Sequence, residues 1–158
     1  MAHLILGEAT RTLDDRYRIS VPADLVQPLL AGRAKCILAK ERTGCLSLWK
    51  EASWKSRLEA GIALVENKIE AGRLDGRVEE VQRLGRLLST RHTSVQLAGR
   101  GRLIVPEGFR EFLGVEPGSE VTIVGAAVCV EIWRPESWRN YVGGELPAFR
   151  ELLDRLSS

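Results

Sequence analysis

The sequence has few of the features that mark membrane proteins, disulfide-bonded secreted proteins or metalloproteins. Its three cysteines, Cys36, Cys45 and Cys129, form no CxxC pair and none lies at a metal-ligand spacing from a histidine. The longest apolar run, from 121 to 130, is interrupted by Gly125 and is much shorter than the roughly 18 residues of a membrane span. We therefore expect reduced cysteines and no membrane-spanning segment.

Signals for secretion and for catalysis are also missing. Residues 1–7 contain neither a basic leader nor a full apolar segment. There is no nucleophile elbow, no Walker loop, no pair of catalytic carboxylates and no zinc-binding spacing. We expect a cytoplasmic protein that is not an enzyme and that holds neither a metal ion nor a cofactor.

The charge is small but unevenly distributed. The 158 residues carry a net charge of +2, and residues 1–60 contain ten basic against seven acidic side chains, whereas residues 95–158 contain seven against nine. Eighteen of the 23 basic residues are arginine, whose planar donor fork suits phosphates and guanine edges. By itself, charge this modest favours an ordinary solvated surface over a DNA-binding one.

An internal repeat is the strongest signal in the sequence. The segment 18–22 (RISVP) recurs as 102–106 (RLIVP), 84 positions later. At the same displacement, 45–54 recurs as 129–138, with cysteine, serine and both tryptophans in register. The chain is therefore a tandem duplication of a unit of about 45 residues.

Each unit follows the order strand, tight turn, strand, short helix and two further strands. Apolar alternation and turn residues predict a hairpin over 9–21 and an equivalent one over 95–105. The helices that follow are predicted at 23–30, ending at Gly32, and at 106–114.

Two further helical regions lie outside these units. Residues 61–91 have the pattern of a helical hairpin broken at 72–76. A tail helix over 147–156 presents one apolar stripe, which we expect to pack on the body or on a neighbouring molecule. The stripe consists of Phe149, Leu152, Leu153 and Leu156.

The duplication also predicts the architecture. One unit is too small to bury a core alone, whereas two interdigitated units could close a barrel around a pseudo-two-fold axis. The expected class is α+β. The expected divisions are a first unit at 1–60, a helical linker at 61–94, a second unit at 95–142 and a C-terminal helix at 143–158.

These residues resemble the MraZ family. The resemblance is carried by Gly7-Glu8, by the run 12–22 (TLDDRYRISVP), by its second copy ending at 101–106 (GRLIVP) and by 131–133 (EIW). It implies two AbrB-like swapped-hairpin units, assembly into a ring, and bacterial transcriptional regulation of the division and cell wall gene cluster. It also implies an Asp-x-x-x-Arg motif in each unit that binds direct repeats in promoter DNA. We therefore expect a nucleoid-associated repressor whose partners are double-stranded DNA and further copies of itself.

The sequence departs from the family pattern in both turns. Tyr17 stands where a glycine usually precedes the first motif arginine, and Ala98 stands where the second motif has its aspartate. If the backbone at Tyr17 has positive φ, it stores about 1 kcal/mol or more of strain; otherwise the ring could lie over the sugar-phosphate backbone. Asp14 can orient Arg18, and we expect Arg102 to be less ordered. The predicted DNA-binding residues are Arg11, Asp14, Arg16, Arg18, Arg100 and Arg102.

Other interpretations follow from the same residues. An AbrB-like antitoxin, or another module whose main partner is a protein, is the alternative to a DNA-binding regulator. Cys45 and Cys129 are expected to be buried small hydrophobes. The tryptophan pairs 49/54 and 133/138 are expected to pack a strand against the following helix, with base stacking as the alternative.

Overall fold

The computed structural model describes residues 3–30, 35–99 and 101–158, and it confirms the α+β class. Within these ranges lie eight strands: β1 Glu8–Thr12, β2 Arg18–Ser20, β3 Lys35–Arg42, β4 Cys45–Lys50, β5 His92–Gln96, β6 Arg102–Ile104, β7 Glu120–Gly125 and β8 Val130–Trp133. The same ranges contain six α-helices: α1 Ala23–Leu30, α2 Glu51–Glu70, α3 Val78–Arg91, α4 Glu107–Leu113, α5 Pro135–Glu145 and α6 Phe149–Ser157. Single 3-10 turns at Asp75–Arg77 and Leu146–Ala148 precede α3 and α6.

The strands of the two repeats are interleaved. Six strands form one antiparallel sheet in the order β1-β7-β8-β4-β3-β5, and β2 and β6 form a separate two-stranded ribbon. The first strand of each repeat therefore pairs with the third strand of the other, β1 with β7 and β5 with β3. Within the described ranges β1 and β5 do not pair with each other, so the sheet is open. The expected closed barrel is wrong.

The expected local hairpins are also wrong in their strand pairing. Backbone hydrogen bonds do close the turn between β1 and β2, where the Asp14 N–H donates to the Arg18 carbonyl at 3.1 Å. Beyond that turn the strands separate, because β1 enters the large sheet while β2 pairs with β6. Both β1 and β2 thus pair with strands of the other repeat, which agrees with the argument that one repeat cannot bury a core alone.

Local sequence signals set the helix boundaries. Pro22 precedes α1, whose bounds are the predicted ones, and Gly32, its expected stop, lies outside the described residues. Gly114 ends α4 in the left-handed conformation with φ of 72°, and its N–H donates to the Arg110 carbonyl. Glycine adopts this conformation without the steric cost that a side chain brings.

Hydrophobic residues form two clusters on the two faces of the sheet. In β3, Cys36 and Leu38 belong to the larger cluster, while Ile37 and Ala39 belong to the smaller one, as strand alternation requires. The larger cluster includes the buried faces of α1 and α4 together with Ile19 and Leu103 of the ribbon. The smaller cluster contains Ile37, Ala39, Trp49, Trp54 and Cys129. The ribbon is thus anchored in the main core.

All three cysteines are buried thiols. Burial raises the pKa of Cys36 to about 11 and that of Cys129 to about 12, and it raises the pKa of Cys45 further still. A thiol that stays protonated is a poor nucleophile. The expectation that Cys45 and Cys129 pack as small hydrophobes is confirmed.

The linker is helical, as expected: α2 begins at Glu51 and is continuous to Glu70, and a break at 71–77 separates it from α3. No helix among the described residues is both long and apolar enough to cross a membrane. The tail stripe does not pack on the body, since Phe149 is 61% exposed and Leu156 is 78% exposed. Packing on the body is therefore wrong, and packing on a neighbouring molecule stays a prediction.

Candidate nucleic-acid interface

The β2–β6 ribbon places one arginine from each repeat on the same outward face. Arg18 pairs with Ile104, and Ser20 pairs with Arg102, while Ile19 and Leu103 face the core between them. Residues two apart on a strand share a face, so Arg18 and Arg102 are diagonal neighbours at a typical Cα separation of about 7–8 Å. Ser20, Arg102 and Ile104 are all exposed.

The first turn holds Arg18 in place through Asp14. Oδ1 of Asp14 accepts hydrogen bonds from the backbone N–H groups of Arg16, at 2.9 Å, and Arg18, at 2.8 Å. Oδ2 accepts from Nε of Arg18 at 2.7 Å, which forms an ion pair. The carboxylate thus fixes the turn and the guanidinium together, and the two Nη groups of Arg18 have no partner among the described residues.

The electrostatics of Asp14 follow from these contacts. The hydrogen bond from the Arg18 backbone lowers the pKa of the Asp14 carboxyl, partial desolvation opposes that shift, and the Arg18 side chain and the Arg16 backbone lower the pKa further. Asp14 is therefore charged at neutral pH. Its charge is compensated by Arg18, which reduces its repulsion of a nearby phosphate.

The described residues of the second turn make matching backbone hydrogen bonds without the carboxylate. The Ala98 N–H donates to the Arg102 carbonyl at 2.9 Å, as Asp14 does to Arg18, but the Arg102 N–H donates to the Ala98 carbonyl at 2.9 Å. A backbone carbonyl replaces the aspartate side chain. In the described part of the chain no acidic group pairs with the Arg102 guanidinium. The Arg102 side chain would therefore lose more conformational freedom than Arg18 on binding a ligand.

Tyr17 and Gly101 occupy equivalent left-handed positions in the two turns. Their φ angles are 59° and 98°, and each carbonyl accepts a matching hydrogen bond at 2.9 Å, from Val105 to Tyr17 and from Val21 to Gly101. Positive φ at Tyr17 costs about 1 kcal/mol or more for a side chain of this size. The strained alternative stated from the sequence is therefore the observed one.

Arg110 of α4 stabilises this strained tyrosine. Its guanidinium carbon lies 4.1 Å from the centre of the Tyr17 ring, and its Nε donates to the Val105 carbonyl at 2.9 Å. Cation–π contact and burial against the core offset the backbone cost. The sequence analysis missed Arg110, because the stack joins the turn of one repeat to the helix of the other.

The remaining predicted site residues are less closely tied to the ribbon. Arg16 is exposed in the first turn, and its backbone donates to Asp14. Arg11 lies on β1 of the large sheet, where its Nη1 donates to the Thr10 carbonyl. Arg100 lies outside the described residues. The sequence analysis also missed Ser20 and Ile104, although strand alternation from Arg18 and Arg102 points to them.

This arrangement has the size and chemistry of a DNA-reading element. The major groove admits a two-stranded ribbon, and an arginine can bind the O6 and N7 atoms of guanine through two N–H groups. Arg18 presents its Nη groups from a fixed position, Ser20 offers a hydroxyl, and Ile104 offers an apolar contact for a thymine methyl.

Comparison with known proteins agrees with the resemblance found in the sequence. A family model described as "MraZ protein, putative antitoxin-like" matches residues 89–152. The chain is 28% identical over 153 residues to a transcriptional regulator MraZ of Carboxydothermus hydrogenoformans, covering 97% of this chain and 96% of the relative. It is 28% identical over 156 residues to a transcriptional regulator MraZ of Heliobacterium modesticaldum and 26% identical over 153 residues to one of Syntrophomonas wolfei. Each of these alignments covers 97% of this chain and 96% of the relative. The resemblance to MraZ therefore extends along nearly the whole chain.

Proposed function

We propose that this protein is a transcriptional regulator that binds double-stranded DNA through the β2–β6 ribbon. The observation that carries the proposal is the placement of Arg18 and Arg102 on one outward face, with Arg18 held by Asp14. The names of relatives that align over 97% of the chain support the regulatory role. The ribbon belongs to an AbrB-like swapped-hairpin arrangement, which the exchange of strand partners between the two repeats supports.

The proposed target is a set of short direct repeats upstream of the division and cell wall gene cluster, and the proposed effect is repression. Arg18 and Arg102 would contact bases, Arg11, Arg16 and Arg100 would contact phosphates, and Asp14 would position Arg18.

The proposed assembly is a ring, in which the exposed tail stripe contacts the next molecule. The proposed division of the chain is a first unit at 1–60, a linker at 61–94, a second unit at 95–142 and a C-terminal helix at 143–158. The strand exchange means that the two units share one core.

Footprinting on the DNA upstream of the protein's own gene tests the function. The purified protein is expected to protect regularly spaced repeats, and native mass spectrometry of the same sample reports the number of copies. The family description "antitoxin-like" favours one competing function, in which the main partner is a protein. A chain that leaves all upstream DNA unprotected at micromolar concentration would contradict the proposal and favour that competitor.

A further inference from the structure

A cavity on the sheet face opposite the main core has the composition of a small-molecule site. It lies between β3, β4 and the helical linker and has a volume of about 320 Å³, within the range of about 300–1,000 Å³ of ordinary ligand sites. Its lining combines two tryptophans, two arginines, a glutamate and a leucine. These residues are Trp49, Trp54, Arg57, Arg91, Glu41 and Leu58.

Two guanidinium groups flank the aromatic walls of the cavity. The guanidinium carbon of Arg57, on α2, lies 4.9 Å from the centre of the Trp49 ring, and that of Arg91, at the end of α3, lies 5.9 Å from the centre of the Trp54 ring. Nε of Arg91 donates to the Lys40 carbonyl at 3.0 Å. Neither arginine forms an ion pair with any residue in the described ranges.

A hydrogen-bonded relay fixes the glutamate at the cavity. The Trp49 indole N–H donates to the Ser47 hydroxyl at 2.8 Å, and that hydroxyl donates to Oε2 of Glu41 at 2.9 Å. Glu41 is thus oriented by the protein, and its carboxylate offsets the charge of one of the two guanidinium groups.

The indole N–H of Trp54 is buried without an acceptor among the residues that the structure describes, and Trp54 itself is 8% exposed. A buried donor without an acceptor costs about 1–3 kcal/mol. An ordered water or a ligand that reaches this atom would supply the missing acceptor.

The second repeat contains the same tryptophan pair, and there an aromatic side chain rather than an arginine lies against it. Tyr141 stands at the position equivalent to Arg57 and stacks on Trp133 with ring centres 5.1 Å apart and an interplanar angle of 30°. Its ring is in turn covered by the Arg42 guanidinium at 4.6 Å. A flat ring under a guanidinium therefore already packs against this type of tryptophan pair within the same molecule.

We infer that the cavity in the first repeat binds a small aromatic carboxylate, with its ring against the tryptophans and its carboxylate on Arg57 and Arg91. Two guanidiniums and one carboxylate leave one net positive charge, which matches a monoanion better than a phosphate dianion. This site contributes no residue to the ribbon, so the inference is independent of the proposed function. The ligand would connect the helical linker to the sheet.

Calorimetric titration of the full chain without DNA tests the inference, with benzoate as the probe. We expect saturable binding with one site per chain, together with a change in tryptophan fluorescence. Benzamide, which has the same ring without the charge, is expected to bind at least about tenfold more weakly. Phenyl phosphate is expected to bind more weakly than benzoate. The absence of saturable benzoate binding, or equal binding of benzamide, would overturn the inference, and tighter binding of phenyl phosphate would overturn the monoanion assignment.

Two arginine variants locate the site. Arg57→Tyr introduces the residue that the second repeat has at this position, and it is expected to weaken benzoate binding at least about tenfold. Arg42→Ala removes the matching guanidinium from the second tryptophan pair and is expected to leave benzoate binding unchanged. Circular dichroism checks that both variants are folded. Unchanged affinity in Arg57→Tyr, or equal loss in Arg42→Ala, would contradict the assigned location.

Discussion

At the residue scale, the two ribbon arginines differ in how well they are held before DNA arrives. Arg18 is fixed by the Asp14 carboxylate at 2.7 Å, whereas Arg102 has no such partner in the described part of the chain. An ordered side chain loses less conformational entropy on binding. In the proposed complex, removing Arg18 would also leave the Asp14 charge uncompensated beside the DNA backbone.

We therefore predict that Arg18→Ala weakens binding to promoter DNA more than Arg102→Ala does. Each specific arginine–base contact contributes about 1–3 kcal/mol, and the Arg18 variant is expected at the upper end of that range. Fluorescence anisotropy titrations with one promoter fragment at fixed salt give the comparison. Equal losses, or a larger loss for Arg102→Ala, would contradict the predicted asymmetry.

The lowered pKa of Asp14 is also measurable. A carboxyl whose pKa is lower in the folded protein stabilises it above the ordinary pKa, and this contribution disappears as the pH falls through the folded-state pKa. We predict an Asp14 titration midpoint below the ordinary aspartate value by NMR. In Arg18→Ala the midpoint should rise only part of the way, because the backbone N–H of residue 18 still donates to the carboxylate. A midpoint at or above the ordinary value in the wild type would show that these hydrogen bonds do not form in solution.

Gly101 offers a second test at this scale. A Cβ atom there would lie 2.9 Å from the Val21 carbonyl oxygen, and φ is 98°. We predict that Gly101→Ala destabilises the protein by about 1–3 kcal/mol, as strain of this kind does. Gly143→Ala in α5 is the control, because its Cβ would meet nothing within 4 Å, and a change of no more than about 1 kcal/mol toward greater stability is expected. Urea denaturation measures both; a neutral Gly101→Ala would contradict the turn geometry.

At the element scale, the sequence predicted what depends on local signals. Periodicity, breakers and the repeat predicted the bounds of α1, the helical linker with its break between α2 and α3, and the burial of Cys45 and Cys129. Even the positive φ at Tyr17 could be anticipated as one alternative, because the family pattern has glycine there.

Long-range pairing could not be predicted in the same way. The pairing of β1 with β7 rather than with β2, and the contact of Arg110 with Tyr17, join residues from different repeats. No local pattern specifies which of two similar strands is the partner, since both repeats carry the same alternation. The expectation that Asp14 orients Arg18 is confirmed, whereas DNA binding by these residues stays a prediction, and the stacking residue Arg110 was missed.

Helix α6 yields the prediction at this scale. Its apolar stripe is exposed, so removing residues 149–158 should change the thermal midpoint of the body by only a few degrees. The truncation should nevertheless reduce assembly, because the stripe is the surface proposed to contact the next molecule. Differential scanning calorimetry and sedimentation velocity measure the two effects. A large loss of stability, or unchanged assembly, would contradict this role of α6.

At the scale of the whole molecule, tight binding to DNA would require several ribbons that act together. The net charge is +2, and one ribbon presents few arginines, too few for tight binding to a polyanion by itself. Several ribbons on one assembly, each at its own DNA repeat, would raise the affinity by about 10²–10⁴ through effective concentration.

We predict that the protein binds a tandem array of DNA repeats much more tightly than one isolated DNA repeat. Moving neighbouring repeats apart by half a helical turn should remove most of the gain, because adjacent ribbons would then face opposite sides of the duplex. Gel shifts at fixed salt, on DNA fragments that differ in the spacer between repeats, measure this dependence of affinity on spacing. An isolated repeat that binds as tightly as the array would indicate a single-site reader.

The central claim is that the β2–β6 ribbon is the DNA-reading surface, and titration of the upstream promoter with three proteins tests it most directly. The wild type is compared with the double variant Arg18→Ala/Arg102→Ala and with Arg83→Ala, which removes an exposed arginine from α3. We predict that the double variant loses specific binding while Arg83→Ala binds like the wild type. Retention of specific binding by the double variant, in a protein that remains folded and assembled, would contradict the account.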